Sequence, residues 1–264
     1  MTTFFAAVDA GQARPLCTHY LSAHFDDLRV YVFSEDGGAR ELKLIWAMAV
    51  LRDGDWEVLG VWAMSTPGVA FWSGMLDEFT ARGCESLSIV LAEDVADVRA
   101  VFPSATVLPP FGRTLSCRHV STASDAGRLR AKARHAVRDA SSTHGAHLAL
   151  ERLLTKRERD RAAVLAPDWS DVLSQLGAFY ALRPQRRALV RRGDDILNLL
   201  SSGLARAIGR HGPFADSKAA TSFVTEALTR AERRLSVLAN PMLPMPAYPP
   251  VLVAVRAGAG APGH

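Results

Sequence analysis

Cysteine is scarce. Cys17, Cys84 and Cys117 are the only three in 264 residues, and they stand far apart. An odd, dispersed set with no CxxC and no paired CxxC/HxxxH spacing excludes a disulfide framework and a zinc finger, and leaves buried free thiols as the expectation. Long apolar runs are missing too: none approaches the roughly 20 residues that cross a bilayer. The opening MTTFFAAVDAGQARP lacks the basic start and small-residue cleavage site of a signal peptide. These absences point to a cytoplasmic location and no membrane partner. No internal repeat at a fixed period is visible.

What is present suits a globular protein. At 48% hydrophobic and 22% charged residues, the chain has the apolar material for one large domain or two small ones. The net charge of +4 hides an asymmetry. Residues 1–112 carry 7 Lys/Arg against 15 Asp/Glu, a balance of −8, and residues 113–236 carry 23 against 12, a balance of +11. An acidic half followed by a basic half fits a carboxylate metal site beside a polyanion-binding surface. From charge alone the favoured reading is Arg-rich helices that merely solvate their outer faces.

Three stretches in the first third read as strands: 28–35, 41–51 and 57–64. The Asp-Gly pairs of SEDGG and RDGD between them supply the positive φ that tight hairpins need, so the three form an antiparallel meander. From Gly68 to Arg82, Val69, Phe71, Trp72, Met75, Leu76 and Phe79 recur at three- and four-residue spacing. That spacing marks one buried helix face, ended by Gly83. LSIVLAE (87–93) has the short apolar, β-branched character of a strand covered on both faces. A short helix, DVADVRAVF, and a strand over 105–109 follow. After Thr122 the pattern turns helical over 124–142, 147–165, 169–182, 185–208 and 216–235. Beyond Val237, NPMLPMPAYPP and AGAGAPGH remove the means of building regular structure, and a disordered or loosely docked tail is expected. The expected class is α/β.

Several segments, in order, carry a family resemblance. ARPLCTHYLSAHFDDLRVYV places Arg14, Pro15, Leu16 and Tyr20 in register before a strand. GVWAM is followed by GVAFWSGMLDEFTARG with its Phe71-Trp72 pair, and RAVFP ends at Pro103. WSDVLSQLGAFYALRPQRR matches through Trp169, Leu176, Phe179, Ala181 and Pro184. LNLLSSGLARAIGRHGPF matches through Leu200, Leu204, Ile208, Gly212 and Phe214. From about Arg14 to Leu235 the chain resembles the catalytic domain of Mutator-type bacterial insertion-sequence transposases. The resemblance implies a ribonuclease-H-like mixed sheet, three antiparallel strands and then two more, with a helical insertion and C-terminal helices. It implies the boundaries 1–13 (N-terminal segment), 14–120 (αβ core), 121–183 (helical insertion), 184–236 (C-terminal helices) and 237–264 (tail).

The chemistry so implied is phosphoryl transfer on double-stranded DNA, in which two divalent cations about 4 Å apart serve the attacking and leaving oxygens. Mg2+ demands hard oxygen ligands, supplied in the family by two aspartates and a glutamate. Here the first position is Asp26, followed by Asp27 in place of a small residue. The second is Glu93 where the family has Asp, a change that moves the carboxylate by about one C–C bond, roughly 1.5 Å. Misplacements of about 1 Å can cost about 10²-fold in a positioned site. Asp94, its neighbour, would point to the opposite face. The third position is Asn198, an amide with one neutral oxygen; Asp195 is a substitute candidate on roughly the same helix face. The catalytic set is thus Asp26, Glu93 and Asn198, with Asp26 and Glu93 as metal ligands. The family's Cys-x-x-His pair is replaced by Pro110 and Arg113, and its N-terminal DNA-binding region is expected to be missing.

Two basic groups are expected to face DNA: Arg128, Arg130, Lys132, Arg134 and Arg138 on one helix, and Arg186, Arg187, Arg191, Arg192, Arg206 and Arg210 along another. Three readings stay open: a DNA-transposing enzyme with eroded ligands, a non-catalytic DNA-binding or oligomerisation module with a homo-oligomer as partner, and the product of a decaying element.

Overall fold

The structure, a computed structural model, describes residues 14–34, 37–64, 66–111, 123–153 and 169–238. The expectations for the N-terminal segment 1–13, for Arg113 and Cys117, for the helix beyond 153 and for the tail from 239 lie outside the described residues.

Five strands form one mixed sheet in the order β3-β2-β1-β4-β5. β1 (His19–Phe33), β2 (Ala39–Val50) and β3 (Trp56–Met64) are the antiparallel meander. The second hairpin turns through Leu51–Asp55, where Leu51 N–H donates to the Asp55 carbonyl at 2.8 Å and Gly54 takes φ 96°. Only the glycine of that Asp-Gly pair enters the left-handed region, which costs it no Cβ clash. β4 (Ser86–Leu91) and β5 (Thr106–Leu108) add in parallel on the other side of β1. The parallel pairing explains the one large difference from the sequence reading of the strands. β1 begins nine residues before Leu28, because His19–His24 pairs with Ser86–Leu91 before the hairpin begins. That segment is buried on both faces and shows no alternation to read.

Helices cover both faces. α1 (Val69–Ala81) and α2 (Val95–Val101) pack one side, where Phe25, Ile45, Trp62, Trp72, Met75, Phe79, Val90 and Val98 form a cluster. On the opposite side lie α3 (Ala123–Asp139), α4 (Thr143–Leu153), α5 (Trp169–Gln175), α6 (Gly177–Tyr180), α7 (Pro184–His211) and α8 (Ser217–Leu238). Their core joins Leu28, Val30, Leu44, Trp46 and Met48 of the sheet to Leu189, Leu197, Leu200 and Leu204 of α7 and to Val224 and Leu228 of α8. Proline at the first turn of α7 needs no N–H partner there, and Gly212 at φ 78° ends it with its N–H on the Ile208 carbonyl. This sandwich of helices, mixed sheet and helices is a ribonuclease-H-like arrangement. Of the two described cysteines Cys84 is buried as expected and Cys17 is exposed, a correction, since its segment runs along the surface before β1.

Candidate active site

β1 alternates. Ser22, His24, Asp26, Leu28 and Val30 point to the α7 side, while Phe25 and Ile45, the β2 partner of Asp27, join the α1 side. The parallel register pairs His24 with Leu91. Asp26 lies two residues beyond His24 and Glu93 two beyond Leu91, so both acids stand at the same end of this strand pair. Hydrogen bonding between the two stops first, because β4 ends at Leu91 and the chain turns at Glu93 into α2. A cleft opens there, lined by Asp26, Asp27, Lys43, Glu93 and Asp94 over a floor of Phe25, Ile45 and Trp72. Phe25 and Trp72 meet edge to face at 5.2 Å and keep that floor rigid.

Asp26 is partly buried and its Oδ2 accepts a hydrogen bond from Ser201 Oγ of α7. Burial raises its carboxyl above the usual carboxylate range, and the negative charges of Asp27 and Glu93 push the same way; the Ser201 hydrogen bond opposes them. Asp27 pairs with Lys43 at 3.6 Å, and Glu93 is exposed at the cleft mouth.

The third position is built differently. Asn198 stands one turn before Ser201 on the same side of α7, and Asp194 one turn before that. Asn198 Nδ2 donates to the Asp194 backbone carbonyl and, at 3.3 Å, to Asp194 Oδ1. Both neighbours are acceptors, so the nitrogen has to face them. Asp194 is buried and gripped from α3: Arg134 Nε donates to its Oδ2 at 2.8 Å, and Arg138 Nη1 lies 4.0 Å away. Asp195, the substitute candidate, is taken up by the same two arginines, bonded to Arg138 and 3.6 Å from Arg134. Among the described residues no group of three or more His, Cys, Asp or Glu side chains could hold a metal ion. The set therefore does not fit a two-cation centre built on three acids. It offers two carboxylates and an amide whose nitrogen is already committed.

The basic residues divide into two kinds. Arg134 and Arg138 are the internal clamp on Asp194 and Asp195. Arg128 and Lys132 are exposed on α3, and nothing is described of the Arg130 side chain. On α7, Arg187 donates to the Ser141 carbonyl at 3.3 Å, Arg191 lies 6.0 Å over the Phe179 ring, and Arg186 and Arg192 are half-buried. Arg206 and Arg210 are exposed. At about 100° per residue Arg192, Arg206 and Arg210 share one stripe of α7, turned about 80° or more away from the buried Leu197, Leu200 and Leu204.

Sequence reasoning missed three participants: Ser201, Asp194 as the partner of Asn198, and the contact of His24 with Gly193. His24 is fully buried, its Nε2 lies 3.0 Å from Ser22 Oγ, its Nδ1 has no partner, and its ring lies flush against Gly193. Helical spacing from Asn198 could have nominated Ser201; nothing local marks the His24 contact.

The geometry can be set beside known proteins. Residues 2–234 match the family described as Transposase, Mutator family. The chain is 27% identical over 233 residues to the transposase for insertion sequence element ISRM3 of Rhizobium meliloti, which covers 87% of this chain and 58% of that relative. A probable transposase for insertion sequence element ISRM3-like, from Sinorhizobium fredii, is 35% identical over 105 residues, 38% of this chain and 26% of that relative. The chain thus spans less than two thirds of the length of these curated relatives. Among the described residues no helix is long and apolar enough to cross a membrane. A match over nearly the whole chain, on a mixed sheet that brings Asp26 and Glu93 to one cleft, means that this protein belongs to the Mutator family of transposases.

Proposed function

We propose that the protein acts in DNA transposition as a duplex-binding member of its family whose own strand cleavage and transfer are weak or lost. The observation that carries this is the amide of Asn198, bonded to Asp194 at the place where the family resemblance expects the third acid. Two carboxylates, one of them held by Ser201 and biased by burial toward its protonated form, attract a divalent cation such as Mg2+ far less than three. What remains for this chain's own residues is binding. Arg192, Arg206 and Arg210 of α7, with Arg128 and Lys132 of α3, supply exposed or half-exposed cations for the phosphates of double-stranded DNA.

The test is purified protein with linear duplex DNA in Mg2+ or Mn2+. The expected result is binding that weakens steeply with salt, with no nicking or joining above background and no dependence of binding on Asp26→Ala. Joining that Asp26→Ala abolishes would overturn the reading.

A further inference from the structure

Among the described residues, the outward positions at the end of β1 are exposed on the face that carries α1. Past Asp27, β1 carries Arg29, Tyr31 and Phe33 outward, while Leu28, Val30 and Val32 between them are buried against the helices of the other face. Tyr31 is 52% and Phe33 55% exposed, two of the few large apolar side chains so exposed among the described residues. The backbone under the rings is fixed on both sides. β2 pairs with it through Tyr31–Glu41 and Phe33–Ala39, and on the other flank Phe33 N–H donates to the Phe214 carbonyl at 2.9 Å and Phe214 N–H to the Tyr31 carbonyl at 2.8 Å. The rings are therefore mounted on rigid strand, about 6.8 Å apart along it for a two-residue step.

The same row leads into the acidic cleft. Reading back from Phe33, the same-face positions are Tyr31, Arg29 and Asp27, the last in the cleft beside Asp26; Lys43 of β2 is paired directly across from Arg29, and its ammonium reaches Asp27 at 3.6 Å. Arg29 is paired to Glu41 at 3.6 Å with both side chains well exposed, the kind of ion pair that contributes little and yields to a better anion. The occupant must therefore present flat apolar faces to two rings and a negative charge to Arg29. A second copy of this chain is a poor fit. Two half-exposed rings offer roughly 200 Å² of apolar surface, against about 800 Å² per partner in a standard interface, and the row is interrupted by charge.

We propose that this face holds an unpaired stretch of DNA strand, its bases stacked on Tyr31 and Phe33 and its phosphate at Arg29. The inference rests on the DNA-binding role proposed above and specifies the form of DNA that this second surface takes. Aromatic rings on an open sheet with a neighbouring cation are a sequence-tolerant platform for single strands, since every base has a stacking face. A closed duplex offers no such face.

The test is fluorescence polarisation with a labelled oligothymidylate and with a blunt duplex of the same length, on the full chain. Tyr31→Ala with Phe33→Ala removes only exposed ring atoms, and an unchanged thermal midpoint checks the fold. The double variant is expected to lose about tenfold or more in single-strand affinity with duplex affinity within about twofold, and Tyr31→Phe with Phe33→Tyr is expected to restore it. Single-strand affinity unmoved by the double alanine variant overturns the inference and leaves duplex binding standing. Failure of the wild type to bind either DNA overturns both.

Discussion

At Gly193 α7 lies so near the sheet that a Cβ has no room, and replacing that residue by alanine tests how the helix is seated. A Cβ there would lie 2.3 Å from His24 Nε2, 2.8 Å from Cε1 and 2.9 Å from Cδ2. Favourable contact begins near 3.5 Å, so helix and strand must part by about 1 Å. The ring cannot yield, because His24 is fully buried on a central strand paired to Met48 on one side and Leu91 on the other. Overpacking of this kind costs typically about 1–3 kcal/mol, and alanine over glycine in a helix interior returns about 1 kcal/mol. With an immobile obstacle the net loss is expected near 2 kcal/mol, or about 4–8 °C in the thermal midpoint. In a His24→Ala background the obstacle is gone, and Gly193→Ala should instead stabilise by up to about 1 kcal/mol. Urea unfolding followed by tryptophan fluorescence on all four variants reads the cycle. The same sign in both backgrounds would refute the reasoning.

Acid should act through the same residue. Burial presses the His24 pKa down to about 3 from 6.5, so the folded state resists a proton that the unfolded chain accepts. Its contribution is complete above pH 6.5 and is lost below it at about 1.4 kcal/mol per pH unit toward pH 3; thermal midpoints against pH should flatten in that window in His24→Gln. Arg134→Ala strands the buried Asp194 carboxylate and should cost about 3–5 kcal/mol, whereas Asp195→Asn, whose side chain is 55% exposed, should cost under about 1 kcal/mol by urea unfolding. Alanine at Arg192, Arg206 and Arg210 should lower the slope of log affinity for duplex DNA against log salt by about 0.9 per arginine.

The residues speak locally, and the site does not. The hairpin turn around Asp53-Gly54 and the apolar stripe of α1 are written in neighbouring residues, and they stand where spacing puts them; α7 runs three residues past the expected 185–208, to His211, where Gly212 ends it. The first half of β1 was invisible, because a strand covered on both faces loses its period of two, and its partner β4 lies more than sixty residues away. Asp26 and Glu93 are reached by family register; the parallel pairing of β1 with β4 is what brings both to one cleft. Ser201 on Asp26, Arg134 on Asp194 and Gly193 on His24 join residues 60 to 175 positions apart, and no short pattern encodes such a meeting. The arginines show the cost of reading charge alone. Arg134 and Arg138 count as cations in the sequence, yet in the fold they neutralise Asp194 and Asp195.

The amide at position 198 decides whether the site holds a cation, and the measurement that tests this is the thermal midpoint against Mg2+ concentration for the wild type and for Asn198→Glu with Glu93→Asp. A carboxylate at 198 is repelled by Asp194, so the double variant should melt lower than the wild type without the cation and rise with Mg2+ as RT ln(1 + [L]/Kd). The wild type should stay flat. A wild-type midpoint that climbs with Mg2+ as steeply as that of the double variant, and that loses the climb in Asp26→Ala, would contradict the account.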